Sequence, residues 1–139
     1  MVRRAAAKEL GPFSKTQAKP ALLSDILPVF KKLSSDDQDS VRLLTVEALI
    51  AIAEALDDEE CKTHVSATMK AMVTDKSWRV RYMVADHFVR LATAAGEDIV
   101  RDELVMAFVG LLKDNEAEVR TAAAGQIPGG HHFAMYALY

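Results

Sequence analysis

Four histidines, one cysteine and twenty carboxylates are the side chains with which this chain of 139 residues could do chemistry. Nucleophilic catalysis needs a serine or cysteine held beside a base. Ser, His, Asp and Cys61 all occur, but no motif sets a nucleophile beside a base. There is no Gly-rich phosphate loop and no paired-carboxylate signal. A metal site would need His131-His132 to be joined by Cys, Asp or Glu, and the tail around them has none. The acidic run Asp36-Asp37-Gln38-Asp39 is too short for an EF-hand loop and lacks its Gly and terminal Glu. The chemistry-bearing residues therefore point to no enzyme, no cofactor and no metal. The acidic run, flanked by Ser34, Ser35 and Ser40, suits helix capping and contact with a partner.

The elements that position these residues recur. Val-Arg occurs at Val2-Arg3, Val41-Arg42, Val80-Arg81 and Val119-Arg120, each step being 39 residues. Asp36, Asp75 and Asp114 each stand five residues before a valine of the series. Apolar columns keep the same step: Ile26, Val65 and Leu104; Phe30, Met69 and Phe108; Leu33, Met72 and Leu111; Leu44, Met83 and Ala122; Leu49, Phe88 and Ile127. Ala7 joins the Val46 column and Leu10 the Leu49 column. Ile52 pairs with Leu91, and Cys61 falls with Leu22 and Val100, where it packs as a small apolar residue. Columns this numerous in one register make chance a poor explanation, and such periods mark stacked repeats.

Each repeat reads as two helices. Leu22, Ile26, Phe30 and Leu33 recur at four, four and three residues along one helix face. The second helix carries a wider apolar face, Val41, Leu44, Val46, Leu49, Ile52 and Leu56, as expected of a helix with neighbours on both sides. Pro28 should kink the first helix, and since Ala67 and Met106 replace it elsewhere, the kink should be local to that repeat. Gly11-Pro12 should end the leading helix early. Asp57-Asp58-Glu59-Glu60 reads as a solvated linker. His64 and His87 fall at unrelated helical phases, with His87 in the place of Ala48 and at least partly exposed. The expected organisation is a leading second helix over 1–14, helix pairs over 21–56, 60–95 and 99–127 (the last incomplete), and a divergent tail over 128–139. Both ends read as severed. The leading helix lacks its upstream partner, and Phe133 to Tyr139 either cover an open end or are foreign to the repeat.

Composition agrees with an all-α chain. Half the residues are hydrophobic but only 6% are aromatic. A net charge of −3 gives no general attraction to nucleic acid or to an anionic membrane. No apolar run reaches the roughly 18 residues of a membrane span, and the start lacks the core of a secretory signal. A single cysteine fits a reducing compartment, so the expected location is the cytoplasm, with the nucleus as a second possibility.

The 39-residue step resembles the HEAT/armadillo class, which implies an all-α, right-handed α-solenoid of about three repeats. In HEAT repeats the turn Asp of one repeat and the Arg of an adjacent one form a ladder. Here that implies Asp36, Asp75 and Asp114 with Arg42, Arg81 and Arg120. The segments SDDQDSVRLLTVEAL, DKSWRVRYMVADHF and KDNEAEVRTAAA resemble three consecutive repeats of the scaffold (A) subunit family of protein phosphatase 2A. MVRRAAAKELG resembles the second helix of the repeat before them. The likeness covers roughly residues 1–126. It implies a non-catalytic subunit that grips regulatory B-type subunits by its intra-repeat turns. Catalytic-subunit contacts belong to repeats that this sequence lacks. The residues carried over are Arg4, Asp37, Asp39, Lys76, Ser77, Trp78 and Arg79, with Asn115 and Glu116 in the last turn. Trp78 is the sharpest of these. Its repeat equivalents, Asp39 and Ala117, share no core character, which favours a partner anchor over a core plug. Arg79 and Arg4 read otherwise as solvated. The alternatives are a generic HEAT adaptor, or a fragment without a role of its own.

Overall fold

Helix-forming residues at a spacing of three and four, punctuated by polar turns, fold into seven antiparallel helices in the computed structural model, which describes residues 1–130. Helix α1 is Val2–Ser14. Helix α2, over 19–34, joins Lys19–Ala21, a π-helical turn Leu22–Ile26 and Leu27–Ser34. Helix α3, over 39–55, joins Asp39–Arg42, a 3-10 turn Leu43–Thr45 and Val46–Ala55. Helix α4, over 58–73, is Asp58–His64 followed by Ser66–Val73. Helix α5, over 78–95, is Trp78–Asp86 followed by Phe88–Ala95. Helix α6, over 97–112, joins Glu97–Ile99, a π-helical turn Val100–Leu104 and Val105–Leu112. Helix α7 is Ala117–Gly125, and a 3-10 turn Pro128–Gly130 follows.

The chain is an all-α solenoid of HEAT-type helix pairs in two layers. One layer stacks α1, α3, α5 and α7; the other stacks α2, α4 and α6. The apolar columns meet between the layers. Phe30, Met69, Val41, Val80, Val119, Leu49 and Phe88 are all fully covered. Helix α3 lies between α1 and α5 and buries Val46, Ala48, Leu49, Ile50, Ala51, Ile52 and Ala53. That all-round burial is what a helix with neighbours on both sides requires. Cys61 is fully buried in its column, and burial pushes its thiol up to about 11.

Several expectations are corrected. The distortion of the first helix is not local to the Pro28 repeat. Helix α6 has the same π-helical turn without proline, and α4 breaks at Val65 with φ −127°. The breaks share the Ile26, Val65 and Leu104 column, whose side chains are all buried, so the bend follows the core contact rather than the proline. Pro28 sits in the first turn of the segment after the π turn, where a missing N–H is tolerated.

Gly11-Pro12 does not stop α1, which continues to Ser14. Gly11 lies against α3, where a Cβ would come within 3.3 Å of the Ala48 nitrogen, and the buried Ala7, Leu10 and Ser14 hold the last turns in place. The Ser14 hydroxyl also donates to the Leu10 carbonyl at 2.6 Å.

Asp57 to Glu60 are a helix start, not a linker. Asp57 accepts from the Glu60 N–H at 2.9 Å, and Glu60 accepts from the Asp57 N–H at 3.0 Å, a complete capping box. Ile127 leaves the Leu49 and Phe88 column and is 48% exposed, because α7 ends at Gly125 ahead of Pro128. His131-His132 and Phe133 to Tyr139, for which metal binding and end-covering were weighed, lie outside the described residues.

Candidate protein-interaction ridge

The turns that join first to second helices line up along one edge of the stack, and the same bonds build each of them. The Asp accepts from the backbone N–H two residues on, at 2.9 Å in every case: Asp36 from Gln38, Asp75 from Ser77, Asp114 from Glu116. Those donors are extended residues that open α3, α5 and α7. An arginine one turn into the following helix donates to the carbonyl of the same Asp: Arg42 to Asp36 at 2.8 Å, Arg81 to Asp75 at 2.7 Å, Arg120 to Asp114 at 2.6 Å. The rest of the guanidinium reaches forward to the next repeat. Arg42 binds both carboxylate oxygens of Asp75 at 3.0 Å, and Arg81 binds those of Asp114 at 2.7 and 3.2 Å. Arg3 makes a looser rung to Asp36 at 3.3 Å.

The ladder is well covered. The side chains of Arg42 and Asp75 are 8% and 12% exposed. Hydrogen bonding to Asp75 and Asp114 raises the Arg42 and Arg81 guanidinium groups further above their ordinary range. The Gln38 N–H holds the Asp36 carboxyl below its ordinary range. Burial alone would raise Asp114, but Arg81 and the Glu116 N–H outweigh it and hold that carboxyl low.

On this frame lie the side chains expected to meet a partner. Ser77 donates to Asp39 at 2.8 Å, and Arg79 lies 3.8 Å from the same oxygen. These three therefore form a second inter-repeat tie. Trp78, the first residue of α5, is half-buried against the core with its remaining surface on the ridge. Tyr82 meets its ring edge-on at 6.4 Å, and the Arg79 guanidinium covers it at 5.1 Å. Arg79 is thus exposed, as expected, while its guanidinium also lies over the Trp78 ring and near Asp39. Asp37 is exposed and 3.6 Å from Arg3. Arg4 and Lys76 are exposed and have no carboxylate partner among the described residues. Asn115 accepts weakly from Arg81 at 3.5 Å, and Glu116 is half-exposed at the start of α7.

The structure brings together Asp39, Ser77, Trp78 and Arg79, while the other named residues sit at separate points along the edge. Two participants escaped the sequence reading. Arg3 belongs to the Val-Arg register and could have been assigned its rung from it. Tyr82 stands four residues after Trp78, the spacing at which helical side chains meet. On the opposite edge, Lys19 to Glu60 and Lys62 to Asp98, both at 2.7 Å, tie successive first helices. These pairs keep no common spacing, so no column announced them. Among the described residues there is no cluster of His, Cys, Asp and Glu able to hold a metal.

Comparison with known proteins agrees with this geometry. The PPP2R1A-like HEAT repeat family matches residues 97–130, and the HEAT repeat family matches residues 26–56. The A-type regulatory subunit of protein phosphatase PP2A from Schizosaccharomyces pombe is 45% identical over 104 residues, covering 74% of this chain and 18% of the relative. The protein of the same name from Saccharomyces cerevisiae is 36% identical over 81 residues, covering 55% of this chain and 13% of the relative. A probable serine/threonine-protein phosphatase PP2A regulatory subunit of Caenorhabditis elegans is 51% identical over 57 residues, covering 41% of this chain and 10% of the relative. The chain thus spans less than a fifth of the length of the relatives it matches. With its register, its ladder and these likenesses taken together, the chain belongs to the HEAT-repeat family of PP2A regulatory subunits of the A type.

Proposed function

We propose that the chain is a non-catalytic scaffold segment of protein phosphatase 2A that binds regulatory B-type subunits along its ridge of intra-repeat turns. The observation that carries this reading is Trp78. An aromatic ring at a turn, partly exposed and held in one orientation by Tyr82, Arg79 and the core, is a pre-ordered anchor. The buried ladder beneath keeps successive turns in register, so a partner meets an ordered edge. Exposed Arg4 and Lys76 offer cations, and Asp37 and Glu116 offer carboxylates, for complementary partner charges. The catalytic subunit is assigned to repeats outside this chain.

The test is a pull-down of the chain against purified regulatory and catalytic subunits, each tried separately. The regulatory subunit should be retained and the catalytic subunit should not. Trp78→Ala should weaken retention by about thirtyfold, the equivalent of roughly 2 kcal/mol for an interface anchor, at a temperature where the variant remains helical. A fall in melting temperature in proportion to lost binding would instead assign Trp78 to the core. Arg4→Glu separates the two causes. Arg4 pairs with no carboxylate among the described residues, so its reversal should weaken binding without moving the melt. Failure of a helical chain to retain any regulatory subunit would overturn the reading.

A further inference from the structure

Helix α5 is interrupted at His87, whose backbone has φ −113° and ψ 15°. The His87 N–H turns back to the Met83 and Val84 carbonyls at 3.2 and 3.3 Å. Beyond the break the Val89 N–H has lost its place in the helical ladder. It donates instead to the Gln126 side-chain oxygen at 3.0 Å. On the near side, the Asp86 carbonyl accepts from the Gln126 side-chain nitrogen at 2.9 Å. One amide thus supplies the acceptor missing on one side of the break and the donor missing on the other. It comes from the segment after α7, in the next repeat.

Gln126 is not placed at random. It stands 39 residues after His87, in the same register. The His87 ring does a related thing one repeat earlier, with Nε2 lying 3.1 Å from Glu47 of α3 and Nδ1 2.8 Å from the Met83 carbonyl. The residue at this column therefore reaches back to the preceding repeat in both cases. This tie lies apart from the ladder of the ridge.

We propose that His87 marks a hinge in α5 and that Gln126 latches it, so that seating of the third repeat sets the direction of the half-helix Trp78–Asp86. That half carries Trp78 and Arg79 at its start and Arg81 one turn on. The latch thereby positions the ridge from the far end of the same helix, whatever partner the ridge meets. A broken helix whose free groups are filled by a side chain of a neighbouring element keeps fewer internal bonds to resist bending at that point.

The test is site-resolved hydrogen exchange on the intact chain and on Gln126→Ala. Exchange of the Val89 amide should speed by about tenfold, the size of effect that loss of one hydrogen bond of about 1.4 kcal/mol gives. The amides of Trp78–Asp86 should speed by a smaller factor, and Trp78 fluorescence should shift. An unchanged Val89 amide would overturn the latch. A faster Val89 amide with unchanged amides over Trp78–Asp86 and unchanged fluorescence would overturn the coupling and leave Gln126 a local cap. Should Gln126→Ala fail to fold, Gln126→Glu decides, because it keeps the acceptor for Val89 and removes the donor to Asp86. It should preserve Val89 protection while still shifting Trp78 fluorescence. Loss of Val89 protection in that variant would overturn the assignment.

Discussion

At the scale of single residues, the ladder shows why one arginine column does more than its formal charge suggests. The Arg42 and Arg81 guanidinium groups each span two repeats, with one nitrogen on the carbonyl of the residue's own turn and the fork on the next carboxylate. Arg has the planar geometry for both, which Lys lacks. Because Arg81 is only 16% exposed, removing its partner should be costly. Asp114→Ala is expected to lower stability by about 1–3 kcal/mol, the cost of leaving a covered charged donor without its acceptor. Asp114→Ala combined with Arg81→Leu should recover part of that loss. Urea unfolding of the two single variants and the double variant measures it. Arg101→Ala, which removes exposed pairs to Asp98 and Asp102 on the other edge, should leave the midpoint unchanged. Equal losses for Asp114→Ala and Arg101→Ala would contradict a role for burial in the ladder.

At the scale of elements, the helices are less regular than their columns. First helices bend at one shared column, and α5 breaks at a different one. The starts of the helices are specified more locally. Helix α4 begins at the Asp57 and Glu60 capping box. Helix α6 begins at Gly96, the only residue with positive φ among those described, at 93°. A side chain there would be strained in its backbone and would also press on the Asp58 carboxylate of α4. Gly96→Ala should therefore destabilise by about 1–3 kcal/mol, read as a lowered melting temperature. Gly110→Ala is the control. Its Cβ would meet nothing within 4 Å, and alanine favours the helix by up to about 1 kcal/mol, so the melt should hold or rise. A Gly96→Ala melt equal to wild type would refute the strain assigned to that turn.

At the scale of the whole molecule, repeats that touch only their neighbours rely on the ties between them. Those ties are largely carboxylates held in ionised form. Asp36 is held low by the Gln38 N–H, and Glu47 and Asp98 by Arg90 and Lys62. Glu60 is held low by the Asp57 N–H, and Asp114 stays low although burial opposes it. Each is lowered in the folded chain relative to the unfolded one. In the window between the two values the unfolded chain binds more protons, so stability rises with pH there. The contribution is full above the ordinary carboxylate range, about 4, and is lost as pH falls through the lower folded values. The urea midpoint should hold from pH 7 to about 5 and fall steeply below about 4. Asp114→Asn should show a shallower fall. A midpoint that stays flat from about pH 5 to about pH 2 would show that these ties contribute nothing.

The solenoid was legible because each column is a local fact repeated: a helix face must be apolar where the next repeat covers it, and the same residue types recur at a constant step. The fixed offsets of Asp and Arg in every turn marked the candidate rungs of the ladder, and the resemblance to HEAT repeats implied their pairing. Non-recurring contacts were not legible. The spacing of Gly11-Pro12 reads as a stop, yet a helix packed close on Gly11 carries the chain through it. Pro28 reads as the cause of a kink that two proline-free repeats share. Asp57 to Glu60 reads as a solvated run until the cap and the Lys19 pair account for it. The second ties, Ser77 and Arg79 on Asp39, the Lys62 and Asp98 pair and the Gln126 amide across the His87 break, join residues 36 to 40 apart in sequence, at no one spacing and through different residue types. Periodicity in the sequence determined which faces are buried and which turns align. Only the tertiary structure decided how far each helix runs, where it bends and which polar groups close the gaps, because those depend on what the neighbouring repeat places within hydrogen-bond reach.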